Sequence, residues 1–298
     1  RTLFDAGVVT AADVDAMKKE ATFRCEAAMA EIKARPWPEG KNAGRGLYAA
    51  GPDLAHDTAA VPVFGAGADQ VVVEVEPAPA FDRKGEVYFS AVARGLGDVM
   101  AEDDSAYILG EDVAAPYGNA FLLLKPLLEQ YKHRIRNAPI AEGAIIGALV
   151  GAALEGQRGI GEMQFNDFVA SGFNQLVNNA APFCYRTGQN LPFVLRMPWG
   201  GLRRAGPYHS QDTAPWFYRS FGLRIVCPSP PHDARALMVS AHRSNDPVLY
   251  YEHIGLYRKP EIKQVLDDAP AEIPLGKAAF RRVGEDLSII SYGAYVHV

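Results

Sequence analysis

Four short stretches place ionisable or aromatic side chains beside glycine or proline, where a ligand can approach the backbone. Gly110-Glu111-Asp112-Val113 carries two adjacent acids. At a strand's carboxyl end they could join a proton network, cap the next element, or be solvated. Ala138-Pro139-Ile140-Ala141-Glu142-Gly143 brings a lone glutamate to the start of a small, apolar helix. Glu142 could simply favour the positive end of the helix dipole. Its apolar surroundings could also raise its proton affinity and let it donate a hydrogen bond. Gly161-Glu162-Met163-Gln164-Phe165-Asn166-Asp167-Phe168 sets two phenylalanines three apart, for core packing or for stacking on a flat ring. Trp199–Gln211 is the longest polar, glycine-rich stretch, and His209 in it has a near-neutral acid–base role available. A loop histidine that is merely solvated is the plainer reading.

Other chemistries lack support. There is no GxSxG for a serine hydrolase and no HExxH, and His232, His242 and His253 have no metal-ligand spacing. The GxG fragments at Gly44–Gly46 and Gly65–Gly67 lack a third glycine and flanking elements. Cys25, Cys184 and Cys227 are too few and too scattered for a disulfide framework or zinc site. They suit a reducing, cytoplasmic-type setting.

These stretches must be held by a fold, and the pattern predicts one. From residue 86 onward, helices over 87–103, 142–155, 167–186 and 231–243 alternate with strands over 106–109, 191–197, 224–227, 248–252 and 287–291. Short apolar strands between helices predict an α/β domain with a mostly parallel, doubly wound sheet. Ligands of such sheets bind at the strands' carboxyl ends, where the candidate loops fall. Upstream, Thr10 and Asp13 start a long helix whose stripe is Val14, Met17, Ala21, Cys25, Ala28 and Ile32, ended by Pro36 and Pro38. It is expected to be amphipathic and to dock on another domain. Residues 37–85 are rich in Gly, Ala and Pro, with a strand-like Val71–Val75, and read as a linker or extended arm. The 298 residues carry a net charge of −5, and 48% are hydrophobic. That composition is ordinary for a globular protein and gives no reason to expect nucleic acid or a membrane as partner. No apolar run is long enough to span a bilayer.

Taken in order, Leu109–Val113, Ala138–Glu142, Glu162–Phe165, Tyr208-His209-Ser210-Gln211 and Asp246-Pro247-Val248 resemble the beta-type subunit of the thiamine-dependent first component of 2-oxo acid dehydrogenase complexes, of the pyruvate and branched-chain kinds. The resemblance covers about residues 86–298. Residues 1–36 look like the helical tail of the alpha-type subunit, which would make this part of a fused alpha–beta polypeptide.

The resemblance implies thiamine diphosphate as cofactor. Glu142 matches the glutamate that bonds the pyrimidine ring nitrogen and moves a proton there. Phe168 matches the aromatic under that ring, with Gln164 beside it, and Glu111 matches a carboxyl-network position. His209 matches the histidine that assists substrate binding and acyl transfer to lipoyl-lysine. Main-chain oxygens around Phe193, Ala241, Ser244 and Asp246 match a potassium site of some relatives, although Ser244 stands where an acid is often found. The family's Gly-Asp-Gly…Asn set for magnesium and diphosphate is missing. The expected partners are therefore a diphosphate-binding alpha-type domain that holds magnesium, and a lipoyl-bearing acyltransferase, within an oligomer. A transketolase-like enzyme and a non-catalytic fragment of the same fold are the competing readings.

Overall fold

A computed structural model describes residues 4, 6–37, 39–40, 79–201, 205–282 and 284–298. The strand-like Val71–Val75 and both GxG fragments lie outside them.

The chain divides into two units, residues 1–45 and 46–298. The first contains α1 (Ala11–Ala34), opened by a capping box in which Thr10 and Asp13 each satisfy the other's backbone N–H. None of its residues is buried, and Phe23, which lies off the expected stripe, is as exposed as Met17 and Ile32 on it. The amphipathic face expected of this helix is not segregated, because apolar residues also occupy other sides.

In the second unit β1 (Phe81–Glu86) is followed by α2 (Tyr88–Glu102), β2 (Tyr107–Gly110), β3 (Ile135–Asn137) and α3 (Glu142–Leu154). Then come β4 (Gly159–Glu162), α4 (Val169–Asn174), β5 (Phe193–Trp199), β6 (Arg224–Val226), α5 (Pro231–Arg243) and β7 (Val248–His253). Six strands form one sheet in the order β3-β2-β4-β5-β7-β6, and every pairing is parallel. From β2 the chain steps outward to β3, then returns across β2 to β4. That reversal opens a crevice at the carboxyl ends of β2 and β4.

Side-chain alternation sends each strand into two cores. Ile108, Ile160, Val194, Val248 and Tyr250 pack with α2 and α5 on one face. Phe193, Leu195, Met197, Leu249 and Tyr251 pack with α3 and the 169–181 segment on the other. Gly161 lets α3 sit close, since a Cβ there would lie 2.4 Å from Leu149 Cδ1 and 3.0 Å from Leu195 Cδ1.

Three expectations need correction. The helix expected over 167–186 is a 3-10 turn (Asn166–Phe168), α4, a π turn (Gln175–Ala180) and a last short helix (Phe183–Thr187), with Pro182 between the last two. The strand expected over 287–291 does not form. Its Ile289 and Ile290 are 84% and 97% exposed, and a β-branched run without a sheet edge to pair with stays irregular. β1, β3 and β4 were not foreseen: most of β1 falls in the stretch read as linker or arm, and Gly-Ile-Gly-Glu gives β4 too little side chain to show a period.

Candidate active site

α3 begins at Glu142 directly after Ala141, whose side chain supplies no cap. Glu142 is half-buried, and its Oε2 lies 2.6 Å from Ser171 Oγ. Ser171 reaches it because α4 packs tightly on α3: a Cβ on Gly172 would lie 2.4 Å from Ile146 Cδ1. The same hydroxyl lies 3.0 Å from the Phe168 carbonyl, so one side chain ties the glutamate to the aromatic segment.

On the β2 side of the crevice Glu111 is 8% exposed, and its Oε1 is buried without a hydrogen-bond partner. Burial raises its proton affinity above the usual carboxylate range, and the neighbouring charges of Glu142 and Asp112 add to the effect. Asp112, in the left-handed region at φ 56°, turns to meet the Gln164 amide at 3.4 Å. The loop beyond is organised by buried Asn119. Its Oδ1 accepts from the N–H groups of Phe121 and Leu123, and its Nδ2 donates to Glu162 at 3.0 Å.

His209 stands edge-on to two rings, with centroids 4.6 Å from Phe165 and 5.5 Å from Phe168. Beneath it, Asp167 Oδ1 accepts the backbone N–H groups of Ser210 and Gln211, each at 3.1 Å. Thus Glu142, Gln164, Phe168, His209 and Glu111 share one crevice at the predicted end of the sheet. Leu202, Arg203 and Arg204 of the same loop lie outside the described residues.

Phe193, Ala241, Ser244 and Asp246 do not belong to this crevice, since Phe193 opens β5 and the other three precede β7. There the carbonyls of His242 and Ser244 both accept from Arg158 Nη1 at 2.9 Å, so a guanidinium already serves one of the four oxygens. Among the described residues no three His, Cys, Asp or Glu side chains gather as a metal-holding set. None of the described helices is long and apolar enough to cross a membrane.

Sequence reasoning did not assign Ser171, Asn119 or the Asn166–Asp167 pair. Ser171 carries no signal, because its role arises where two helices meet. Asn166 and Asp167 did carry one, as two adjacent polar residues between aromatics in a segment otherwise read for its rings.

Residues 87–260 match the family model for the transketolase pyrimidine-binding domain. The chain belongs to that family. Across 213 residues this pyrimidine-binding domain protein is 39% identical to the 2-oxoisovalerate dehydrogenase subunit beta of Bacillus subtilis (strain 168), covering 70% of this chain and 64% of that one. The mitochondrial 2-oxoisovalerate dehydrogenase subunit beta of Chaetomium thermophilum is 38% identical over 263 residues, covering 84% of this chain and 55% of the relative. The acetoin:2,6-dichlorophenolindophenol oxidoreductase subunit beta of Cupriavidus necator is 36% identical over 218 residues, covering 70% and 64%. The chain therefore spans 55–64% of the length of these relatives.

The family is thiamine-diphosphate-dependent, and the crevice fits the aminopyrimidine half of that cofactor. A flat ring bearing both donors and acceptors needs a carboxyl, an amide and an aromatic face. Glu142, Gln164 and half-buried Phe168 offer these, and the partnerless buried oxygen of Glu111 lacks an atom to bond.

Proposed function

We propose that this chain supplies the pyrimidine-binding half of a 2-oxo acid dehydrogenase of the pyruvate or branched-chain kind. In this reading residues 86–298 are the pyrimidine domain, 37–85 a connecting arm, and 1–36 the tail of an alpha-type portion. The observation that carries the reading is the Glu142–Ser171–Phe168 linkage, in which one hydroxyl lies within hydrogen-bond distance of the Glu142 carboxyl and of the backbone carbonyl of Phe168.

When bound, thiamine diphosphate supplies the carbon nucleophile and the electron sink for decarboxylation. Glu142 holds the pyrimidine ring nitrogen and moves a proton at that atom. Phe168 supports the ring face, and Gln164, steadied by Asp112, fixes its rotation. Burial raises the proton affinity of Glu111, so it takes up a proton more readily and can lessen charge repulsion on Glu142 as the proton shifts. His209, edge-on between Phe165 and Phe168, offers an imidazole where an acyl group would pass to a lipoyl thiol.

The sequence lacks the Gly-Asp-Gly…Asn set that the resemblance leads one to expect for magnesium and diphosphate, so in this reading an alpha-type domain brings both. A lipoyl-bearing acyltransferase is the acceptor, and the complete enzyme is an oligomer in a reducing compartment. Potassium, bound in some relatives, would have to share the 241–246 carbonyls with Arg158.

The test is reduction of ferricyanide by pyruvate and by branched 2-oxo acids, using the complete enzyme with thiamine diphosphate and magnesium. One of these acids is expected to turn over, and Glu142→Gln to remove the activity while the fold survives. Near-normal turnover by that variant contradicts the mechanism.

A further inference from the structure

The stretch Phe165-Asn166-Asp167-Phe168 touches the His209 loop in two ways at once. Its two rings hold the imidazole from the side. Its two polar residues hold the loop backbone from below. Asp167, 7% exposed, gives one carboxylate oxygen to two successive N–H groups, those of Ser210 and Gln211. Hydrogen bonds to an ionised acceptor are stronger than neutral ones, and here one charge anchors the two residues that follow the histidine.

Fully buried Asn166 uses its whole hydrogen-bonding capacity. Its Nδ2 donates to Asp167 Oδ2 at 2.8 Å and to the Gln211 carbonyl at 2.9 Å. Its Oδ1 accepts from Thr213 N at 2.9 Å and from Thr213 Oγ1 at 2.7 Å. Thr213 Oγ1 in turn lies 3.0 Å from the Tyr251 hydroxyl, so the clamp is bolted to β7. A glycine-rich loop would otherwise sample many conformations.

We infer that Asn166 and Asp167 are positioning residues: they fix the His209 loop on the aromatic segment, so that the imidazole is held in one place for acyl transfer. The inference rests on the role given to His209 above. Asp167 touches neither substrate nor cofactor in this account; it acts through the loop.

The test uses the complete enzyme loaded with thiamine diphosphate, with Asp167→Asn, Asp167→Ala, His209→Ala and the double Asp167→Ala/His209→Ala. Amide hydrogen exchange across residues 206–213 is expected to quicken about tenfold or more in Asp167→Ala, while exchange in α2 and α5 stays unchanged. Acyl transfer to a lipoyl domain should fall by about 10- to 100-fold, with ferricyanide-linked decarboxylation within about threefold of wild type. Asp167→Asn, which keeps one acceptor oxygen, should recover part of the loss. The double variant should transfer acyl groups no more slowly than His209→Ala alone, because a residue acting only through His209 has nothing left to position. Unchanged exchange in the loop, or additive losses in the double variant, overturns the inference. If exchange quickens but His209→Ala transfers acyl groups normally, the clamp stands and the role given to His209 is what fails.

Discussion

Two glutamates near the crevice have opposite surroundings. Glu142 sits half-buried at the first turn of α3 with a single serine partner on one oxygen. Glu162, at the end of β4, is wholly enclosed on the other face of the sheet. There Arg196 binds it and also grips Glu252 through Nε at 2.6 Å and Nη2 at 2.9 Å, while Tyr257 adds a hydrogen bond to Glu252 at 2.7 Å. All three ionic side chains are 0% exposed. The fold commits Glu162 and Glu252 to structure, tying β4, β5 and β7 together with the loop of Asn119. It leaves Glu142 accessible. Burial pushes Glu162 towards its protonated form, against the pull of Arg196, and its Oε1 stays without a partner. These two glutamates are therefore sorted by depth, with the bonding group at the rim and the bracing group beneath.

The contrast can be broken most severely at its base. Arg196→Met strands two carboxylates in the core and should lower stability by about 3–5 kcal/mol, read from urea unfolding of the complete protein, with the loss larger at pH 8 than at pH 6. A loss under about 1 kcal/mol would mean the network braces nothing. His209→Ala, at the rim, should leave stability unchanged and slow acyl transfer to a lipoyl domain by about 10²-fold, equivalent to ~2.7 kcal/mol. Equal slowing of proton exchange at the cofactor carbon would reject its separate role. Asn119→Ala removes the link between the two layers. A cost of about 1–3 kcal/mol is expected, since it leaves backbone N–H groups of the loop without an acceptor.

The smallest effect has the opposite sign. The Glu111 carboxyl has a raised proton affinity, so the native state binds its proton more tightly than the unfolded chain does. Its stabilising contribution is present below the ordinary carboxylate range and is lost as pH rises through that range and beyond. Glu111→Gln should therefore raise stability by about 0.5–1 kcal/mol at pH 7 and by less at pH 4. A variant less stable than wild type at pH 7 would contradict the burial argument.

Residue types alone singled out the rim residues as candidates, while their roles came from the family resemblance. Glu142, Phe168 and His209 announced themselves by glycine, proline and aromatic neighbours, and α5 was found at its true bounds because its apolar period is regular. The base was not legible. Glu162 and Arg196 lie in short, fully buried strands, and nothing local distinguishes a buried ion from an exposed one. β4 has two glycines in four residues, and the 287–291 run had strand chemistry without a sheet edge to meet. The Asn166–Asp167 clamp depends on contacts some forty residues away in the chain, which no local pattern encodes.

The central claim is that the half-buried glutamate at the rim, not the enclosed one, moves the proton. Hydrogen–deuterium exchange at the thiazolium carbon of thiamine diphosphate, followed in the complete enzyme by rapid acid quench, tests it directly. In Glu142→Gln the exchange rate should fall by about 10²- to 10⁴-fold, with Glu162→Gln within roughly tenfold of wild type. Undiminished exchange in Glu142→Gln would contradict the account.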